Sequence, residues 1–272
     1  MQPFPMKGAV AVVTGAASGI GAALSPALAA KGCDLAICDL NDVGLQRTAE
    51  ACRAAGVKVS THILDVANAQ ACADLPAEVI AEHGKVSILV NNAGVALFGR
   101  FDEMTLDDFE WVMSINFFGV VRLTKAFLPH LNEQAAAHIA NISSIFGVIA
   151  PPGQTAYCAS KFGVRGFSES LRHELAGSNV TLTVIHPGGV ATNIANSARV
   201  AQNAVMTEDP ETRRERLARF LSKPPAEAAA DIVRAIETRA PKLLIGQDAR
   251  RMELLQRLFP VTYWPKMARS MR

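Results

Sequence analysis

The sequence contains few of the features that mark metal-binding, secreted or membrane-spanning proteins. Its five cysteines form no CxxC pair and its six histidines are scattered, so neither residue type shows metal-ligand spacing. No apolar run reaches the roughly 18 to 20 residues that a membrane span needs. The first residues, "MQPFPMKG", lack the charged-then-apolar pattern of a signal peptide. We therefore expect a cytoplasmic protein with reduced cysteines, no bound metal and no transmembrane span.

Charge is also scarce in this chain. Charged residues make up 19% of it and the formal net charge is +2, which is too mild to indicate a nucleic-acid partner. Half of the residues are hydrophobic, enough for a large core and inconsistent with a disordered chain. With 272 residues and no interdomain linker in the pattern, we expect one domain spanning residues 1–272.

Short apolar runs rich in β-branched residues alternate with helical patterns. Strands are predicted at 9–13, 34–38, 58–64, 86–90, 137–143, 180–185 and 242–246, and helices at 20–31, 43–55, 68–83, 105–131 and 155–176. Strands that alternate with helices indicate a parallel sheet covered on both faces. The predicted fold class is therefore α/β, with a doubly wound, mostly parallel sheet of seven strands.

Three segments depart from this alternation. Residues 191–225 are mostly polar and include "TEDPETRRERLARF", and an insertion of this length is often a functional lid. Residues 248–272 form a C-terminal extension that mixes basic, aromatic and apolar side chains. It would pack on the body or on a neighbouring subunit, or else make a weak membrane-surface contact. Pro26 lies inside a predicted helix, where we expect a kink.

A glycine turn follows the first strand in "TGAASGIG". Gly15, Gly19 and Gly21 lack side chains, so the backbone and the following helix N-terminus could approach a pyrophosphate. An ordinary strand-to-helix turn is the alternative. The next strand ends in Asp39, whose carboxylate could accept hydrogen bonds from the adenosine ribose. Because Ser18 precedes Gly19 and no Arg or Lys adjoins Asp39, we favour NAD over NADP.

Further polar residues follow the other predicted strands. Asp65 and Val66 could meet an adenine, "NNAG" occupies 91–94, and "NISS" ends at Ser144. Ligands bind beyond the carboxyl ends of parallel strands, so these residues would meet at one edge. Lys161 lies four positions after Tyr157, and such a pair shares one helix face. On its own, this pair could equally be an ordinary surface contact.

These motifs together resemble the short-chain dehydrogenase/reductase family, which has a Rossmann-type fold. "TGAASGIG", "NNAG", the Asn of "SINFFG", the Ser of "NISS", "YCASK" and "HPGGVAT" occur in the family's order over about residues 7 to 195. The resemblance implies a hydride-transferring enzyme, and the family's spacing of 13 residues before the tyrosine selects Ser144 over Ser143. The implied catalytic residues are Asn116, Ser144, Tyr157 and Lys161.

The resemblance also implies a cofactor site and a homodimer or homotetramer, with helices 105–131 and 155–176 as interface candidates. The predicted NAD-binding residues are Gly15, Ser18, Gly19, Ile20, Gly21, Asp39, Asp65, Val66, Asn92, Ala93, Gly94, Tyr157, Lys161, Pro187, Gly188, Val190 and Thr192.

In this prediction Tyr157 is the general acid/base, Lys161 lowers its pKa and holds the ribose, Ser144 orients the substrate oxygen, and Asn116 supports a proton relay. Lowering the pKa of a tyrosine from about 10 to neutrality requires a preference of about 4 kcal/mol for the phenolate. A cation about 4 Å away supplies that much only in a partly dry cleft.

The expected reaction is hydride exchange between NAD and a secondary alcohol or ketone. Phe98, Phe146, Val148 and Pro151 suggest an apolar pocket for a lipid-like, steroid-like or aromatic substrate. Two alternatives remain open: an NADP-dependent carbonyl reductase, and a nucleotide-binding regulator without turnover. Cys158, next to Tyr157, could be a packing residue or a reactive thiol.

Overall fold

A computed structural model describes residues 2–194, 197–204 and 221–270. Its strands are β1 Val10–Thr14, β2 Asp34–Asp39, β3 Val59–Ile63, β4 Ile88–Asn91, β5 Leu97–Phe98, β6 Ala137–Ile142, β7 Val180–Pro187, β8 Arg199–Val200 and β9 Lys242–Ile245. Seven of these strands form one parallel sheet in the order β3-β2-β1-β4-β6-β7-β9, which confirms the predicted fold class. The crossover from β3-β2-β1 to β4 places a topological switch point between β1 and β4, where doubly wound sheets bind ligands.

Helices cover both faces of this sheet. Ala11 and Val13 of β1 belong to one apolar cluster, whereas Val10 and Val12 belong to the other, because successive strand residues point to opposite faces. The helices are α1 Gly19–Ala29, α2 Asp42–Arg53, α3 Ala69–His83, α4 Leu106–Met113, α5 Gly119–Asn132, α6 Thr155–Glu174, α7 Pro225–Thr238, α8 Gln247–Leu258 and α9 Tyr263–Ser270. Clusters from α1, α2 and α7 pack on one face, and clusters from α3, α5 and α6 pack on the other.

The helical stretch Leu106–Asn132 is the one described stretch long and apolar enough, by composition, to cross a membrane. It contains α4, α5 and a π-helical turn at Ser114–Phe118. Leu123, Phe127 and Leu131 of α5 are at most 1% exposed within the core. Burial in the fold thus accounts for the apolar character of α5.

The structure bears differently on the expectations for Pro26, for the lid at 191–225 and for the C-terminal extension at 248–272. Helix α1 continues through Pro26 to Ala29, so the proline does not end the helix, and the expected kink stays a prediction. Within the expected lid, β8 pairs in parallel with β5, whereas 195–196 and 205–220, which contain "TEDPETRRERLARF", lie outside the described residues. The C-terminal extension forms α8 and α9, which pack on the body around Ile145 and Ile149.

Candidate active site

A cleft of about 1250 Å³ opens at the carboxyl edge of the sheet. Of the residues predicted to bind the cofactor, all except Gly21 line it, and so do Ser144, Tyr157 and Lys161. Asn116 and Gly21 are buried and do not line the cleft. Strand ends distant in sequence meet here because the sheet is parallel, so their carboxyl termini share one edge.

The glycine turn is closely packed against the end of β4. Gly15 and Gly19 have φ values of 66° and 56°, a backbone conformation that favours glycine. A Cβ on Gly15 would lie 2.8 Å from the Ala93 Cα. On Gly21 it would lie 2.2 Å from the Gly15 carbonyl oxygen. Gly21 therefore lets α1 pack against the turn and does not line the cleft, and its predicted contact with the cofactor stays a prediction.

Thr14 holds this turn together, a role that the sequence motifs did not predict. Its hydroxyl oxygen accepts hydrogen bonds from the backbone N–H groups of Asn92 and Ala93, both at 3.1 Å. The Asn92 side-chain amide donates back to the carbonyl oxygens of Thr14 and Gly15, at 2.8 and 3.1 Å. A polar residue ending β1 beside the polar end of β4 was the available signal. Thr14 and Asn92 thereby fix the glycine turn relative to β4.

The adenosine end of the cleft is acidic. Asp39 accepts hydrogen bonds from the backbone N–H groups of Ala17 and Asn41, both at 2.9 Å, which fixes its carboxylate at the end of β2. Ser18 precedes α1 and its side chain makes no capping bond, so the first N–H groups of that helix have no side-chain partner. An exposed helix N-terminus without side chains on Gly15 and Gly19 fits a pyrophosphate, so the residues present fit a dinucleotide.

Charge along the cleft bears on which dinucleotide fits. Among the described residues that line it, Lys161 is the only cationic side chain, whereas Asp39 and Asp65 are acidic. A 2′-phosphate beside Asp39 would face like charge without a described cation to offset it.

Asn116 lies in the π-helical turn and is fully buried. Its side-chain oxygen accepts from the Val95 N–H at 2.8 Å, and its amide donates to the Val95 carbonyl at 2.9 Å and to the Ser160 hydroxyl at 3.1 Å. A Cβ on Gly94 would lie 3.2 Å from the Asn116 Oδ1 and 3.4 Å from the Lys161 Nζ. Asn116 therefore holds the backbone that follows "NNAG" close to the lysine.

Ser144 and Ser143 have different surroundings. The Ser143 hydroxyl donates to the Lys161 carbonyl at 2.9 Å and is buried. Both serines line the cleft, and the Ser144 hydroxyl oxygen accepts a hydrogen bond from the Phe146 N–H at 3.1 Å. His186, whose pKa burial lowers to about 4, lies with its Nδ1 2.9 Å from the Ser144 carbonyl oxygen, and the neutral ring donates there. The Ser143 hydroxyl is thus engaged with the Lys161 backbone, and the catalytic assignment of Ser144 stays a prediction.

Tyr157 and Lys161 lie one turn apart on α6 and share one face. The Lys161 ammonium lies 5.7 Å from the centre of the Tyr157 ring and donates to the Ile142 carbonyl at 3.0 Å. Lys161 is 3% exposed, and burial lowers its pKa to about 8. Burial likewise raises the pKa of Tyr157 to about 12, although the hydrogen bond from Ser144 opposes the rise. The expected lowering of the tyrosine pKa is thus not produced by the chain alone.

The C-terminal helices form one wall of the cleft. Met252 of α8 and Trp264 and Met267 of α9 line it, and the Tyr263 hydroxyl accepts a hydrogen bond from the Ala150 N–H at 2.8 Å. The N-terminus of α8 is anchored because Asp248 accepts from the Gly189 N–H at 2.7 Å. The sequence motifs did not predict this wall, since the extension could equally have packed elsewhere.

The apolar residues predicted for the substrate pocket divide into two groups. Phe98, Phe146 and Pro151 line the cleft, whereas Val148 is 2% exposed and lies beneath it in the cluster around Ile145. The expectation for Val148 is therefore corrected, because its side chain supports the wall from behind.

The described residues support neither a reactive thiol at Cys158 nor a metal site in the cleft. All five cysteines are free and buried, and burial raises the pKa of Cys158 to about 12, which favours packing over reactivity. Within the described ranges, no group of three or more His, Cys, Asp or Glu side chains is arranged to hold a metal ion.

Comparison with known proteins relates this geometry to a family. The family model for the short chain dehydrogenase matches residues 9–203. "Putative oxidoreductase SadH" of Mycobacterium tuberculosis is 41% identical over 260 residues, which cover 94% of this chain and 93% of that protein.

Two solved structures are similar throughout the fold. A short chain dehydrogenase/reductase from Burkholderia phymatum in complex with NAD is 32% identical, with a TM-score of 0.86, over 94% of this chain and 95% of that one. An alcohol dehydrogenase from the archaeon Thermococcus sibiricus, complexed with 5-hydroxy-NADP, is 27% identical, with a TM-score of 0.73, over 87% and 95% of the two chains. By the family model, its nearly full-length relative and its Rossmann-type sheet, the chain belongs to the short-chain dehydrogenase/reductase family of oxidoreductases.

Proposed function

We propose that the protein is an NAD-dependent dehydrogenase or reductase that interconverts a secondary alcohol and a ketone. One observation carries the proposal: Tyr157, Ser144 and Lys161 line the same cleft, with the Lys161 ammonium 5.7 Å from the centre of the Tyr157 ring. A phenol between a hydroxyl and a buried cation is suited to exchange a proton with a substrate oxygen. The nicotinamide ring, when bound, would supply the hydride acceptor or donor.

Each side chain has a distinct task in this proposal. Tyr157 takes or gives the proton at the substrate oxygen, and Ser144 donates a hydrogen bond to that oxygen as its charge develops. Lys161 keeps a positive charge beside the phenol and could also hold a ribose hydroxyl. Asn116 fixes the Val95 backbone and thereby positions the segment next to Lys161.

NAD is the dinucleotide that the charges favour. Asp39 stands at the end of β2 with its carboxylate fixed by two backbone N–H groups. The NAD complex of the Burkholderia phymatum protein supports the choice, although the Thermococcus sibiricus alcohol dehydrogenase binds an NADP derivative. The alternative is an NADP-dependent carbonyl reductase. Separate titrations with NAD⁺ and NADP⁺ decide between them, and tenfold tighter binding of NADP⁺ would overturn the assignment.

The substrate proposed for this cleft is bulky and apolar. Phe98, Pro151 and Trp264 line the cleft, and among its described lining residues Lys161 is the only cation available for an acidic substrate. A lipid-like, steroid-like or aromatic secondary alcohol would suit such walls. A panel of secondary alcohols assayed with NAD⁺, read by NADH absorbance, tests this class. Faster turnover of small or acidic alcohols than of bulky apolar ones would contradict it.

A regulator that binds a nucleotide without turnover is the second candidate class. The complete set of Asn116, Ser144, Tyr157 and Lys161 disfavours it, because binding alone does not need an acid/base residue. If NAD⁺ binds and no alcohol or ketone in the panel is converted, the regulator becomes the better description.

We also propose that the protein is a homo-oligomer built through α5 and α6. Phe118, immediately before α5, and Phe162 on α6 are 46% and 39% exposed, so the two helices present apolar surface that a second copy could cover. Light scattering of the wild type and of the Phe118→Ser/Phe162→Ser variant measures the assembly. A monomeric wild type would contradict the proposal.

A further inference from the structure

The outer side of the C-terminal helices carries apolar and basic side chains together. Leu254 and Leu258 of α8 are 58% and 64% exposed, and Val261 in the turn that follows is 86% exposed. Spacings of three and four residues place Arg250 and Arg257 on the same side. These five residues are called the outer tail face below.

Positive charge on this part of the chain is not balanced by exposed acids. Residues 247–270 contain two acidic residues and five basic ones, namely Arg250, Arg251, Arg257, Lys266 and Arg269. Within the described part of the chain, none of the five forms an ion pair. The two acids are engaged toward the body, since Asp248 accepts from the Gly189 N–H and Glu253 pairs with Lys242. The net of +3 exceeds the +2 of the whole chain.

The inner side of the same helices lines the cleft through Met252, Trp264 and Met267. A helix with its side chains is about 10 to 12 Å across. The outer tail face is therefore separated from the cleft by about the thickness of one helix.

We propose that the outer tail face docks on the surface of an anionic lipid bilayer. Leu254, Leu258 and Val261 would enter the interface, while Arg250 and Arg257 would lie at the level of the headgroups. Helices that bind in the plane of a membrane combine apolar residues with Lys and Arg in this way, and each basic residue near an anionic surface strengthens binding.

A second copy of the chain is the competing occupant of this face. A two-fold interface pairs the same patch on both subunits, which would bring the arginines of one copy near those of the other. The net positive charge of residues 247–270 therefore favours an anionic surface over a second tail. Docking uses residues outside the cleft, so the inference does not rest on the proposed reaction.

Vesicle co-sedimentation without cofactor or substrate tests the inference. The wild type is expected to bind phosphatidylcholine vesicles that contain phosphatidylserine, to bind pure phosphatidylcholine weakly, and to lose affinity in high salt. Arg250→Gln/Arg257→Gln is expected to weaken binding about 25-fold, at about fivefold for each arginine. Arg47→Gln/Arg53→Gln removes the same charge from exposed positions on α2 and is expected to change binding less than about twofold.

The apolar contribution is tested separately by Leu254→Ser/Leu258→Ser, which is expected to weaken binding about tenfold or more. Val43→Ser/Ile63→Ser is its control, because these side chains are 70% and 60% exposed elsewhere on the surface. Circular dichroism establishes that each variant is folded. Hydrogen exchange on the wild type gives a second readout, in which vesicles should protect backbone amides of 250–261.

Four outcomes would overturn the inference. They are absence of binding to anionic vesicles, equal losses in the tail variants and their controls, absence of protection at 250–261, and dissociation of an oligomer by the tail variants while vesicle binding persists. The last outcome would assign the face to a second copy. Since vesicle binding is measured without turnover, an inactive protein that binds vesicles would contradict only the proposed reaction.

Discussion

Replacing Lys161 with methionine should reveal the cost of keeping an ammonium group in the cleft. Burial lowers the pKa of Lys161 from 10.5 to about 8. Between these values the unfolded chain binds a proton that the folded protein does not, so stability rises with pH across this window. From pH 7 to pH 9.5, a shift of this size corresponds to a gain of about 2 kcal/mol in the wild type. At pH 7 the charged form is penalised by about 3 kcal/mol.

Urea unfolding at the two pH values measures this gain. Lys161→Met lacks the titrating group and should lose that part of the pH dependence, while also losing the hydrogen bond to the Ile142 carbonyl, worth about 1 kcal/mol. At pH 7 it should therefore be about 2 kcal/mol more stable than the wild type. With a slope of about 3 kcal/mol per M, the midpoint would move by about 0.7 M urea.

Lys125 provides the matched control, because it is exposed on the neighbouring α5. Lys125→Met should keep the full gain of the wild type between the two pH values. The reasoning is refuted if Lys161→Met gains as much stability as the wild type on going to pH 9.5, or if it is the less stable protein at pH 7. Either result would mean that burial does not penalise the ammonium.

Three further predictions concern the cleft. Tyr157→Phe should leave the NAD⁺ dissociation constant within about threefold and lower turnover by about 10² or more, and a variant that keeps most activity would remove Tyr157 from the reaction. Thr14→Val should leave the Asn92 and Ala93 N–H groups without their acceptor, costing about 1 to 3 kcal/mol in urea unfolding, whereas an unchanged midpoint would contradict the bracing role. Asp39→Ala should weaken NAD⁺ binding about tenfold and NADP⁺ binding less, as titration calorimetry would show, and equal losses would argue against discrimination at Asp39.

The sheet was predictable because its physical signals are local. Each of the seven strands is an apolar run bounded by turn residues, and alternation with helices leaves a parallel arrangement as the usual solution. The short pairing of Leu97–Phe98 with Arg199–Val200 was not predictable in the same way. Two-residue strands carry no periodicity, and their partners are about a hundred residues apart.

The residues of the candidate site also divide into those that the sequence predicts and those that it does not. Residues at strand ends, such as Asp39 and Ser144, were predictable because parallel topology brings strand ends together. Thr14 and Asp248 were missed because their roles are hydrogen bonds to backbone groups distant in sequence. Gly21 was assigned to the cofactor because a motif marks where glycine is required. The motif does not say whether the approaching group is a ligand or, as here, the Gly15 carbonyl.

The pKa of Tyr157 shows that a sequence motif identifies the residues of a site but does not predict the energies of their protonation states. A dry cleft strengthens the attraction between Lys161 and a phenolate, but it also disfavours both charged forms. At 5.7 Å and an effective dielectric of 20, a unit cation contributes about 3 kcal/mol, or about 2 pH units. Even beside Lys161, burial raises the pKa of Tyr157 to about 12, so the lysine does not bring the phenol to neutrality. A second cation about 4 Å away would add about 4 kcal/mol in favour of the phenolate at that dielectric. Oxidised nicotinamide carries that charge, so Tyr157 should hold its proton in the free protein and release it only when the oxidised cofactor occupies the cleft.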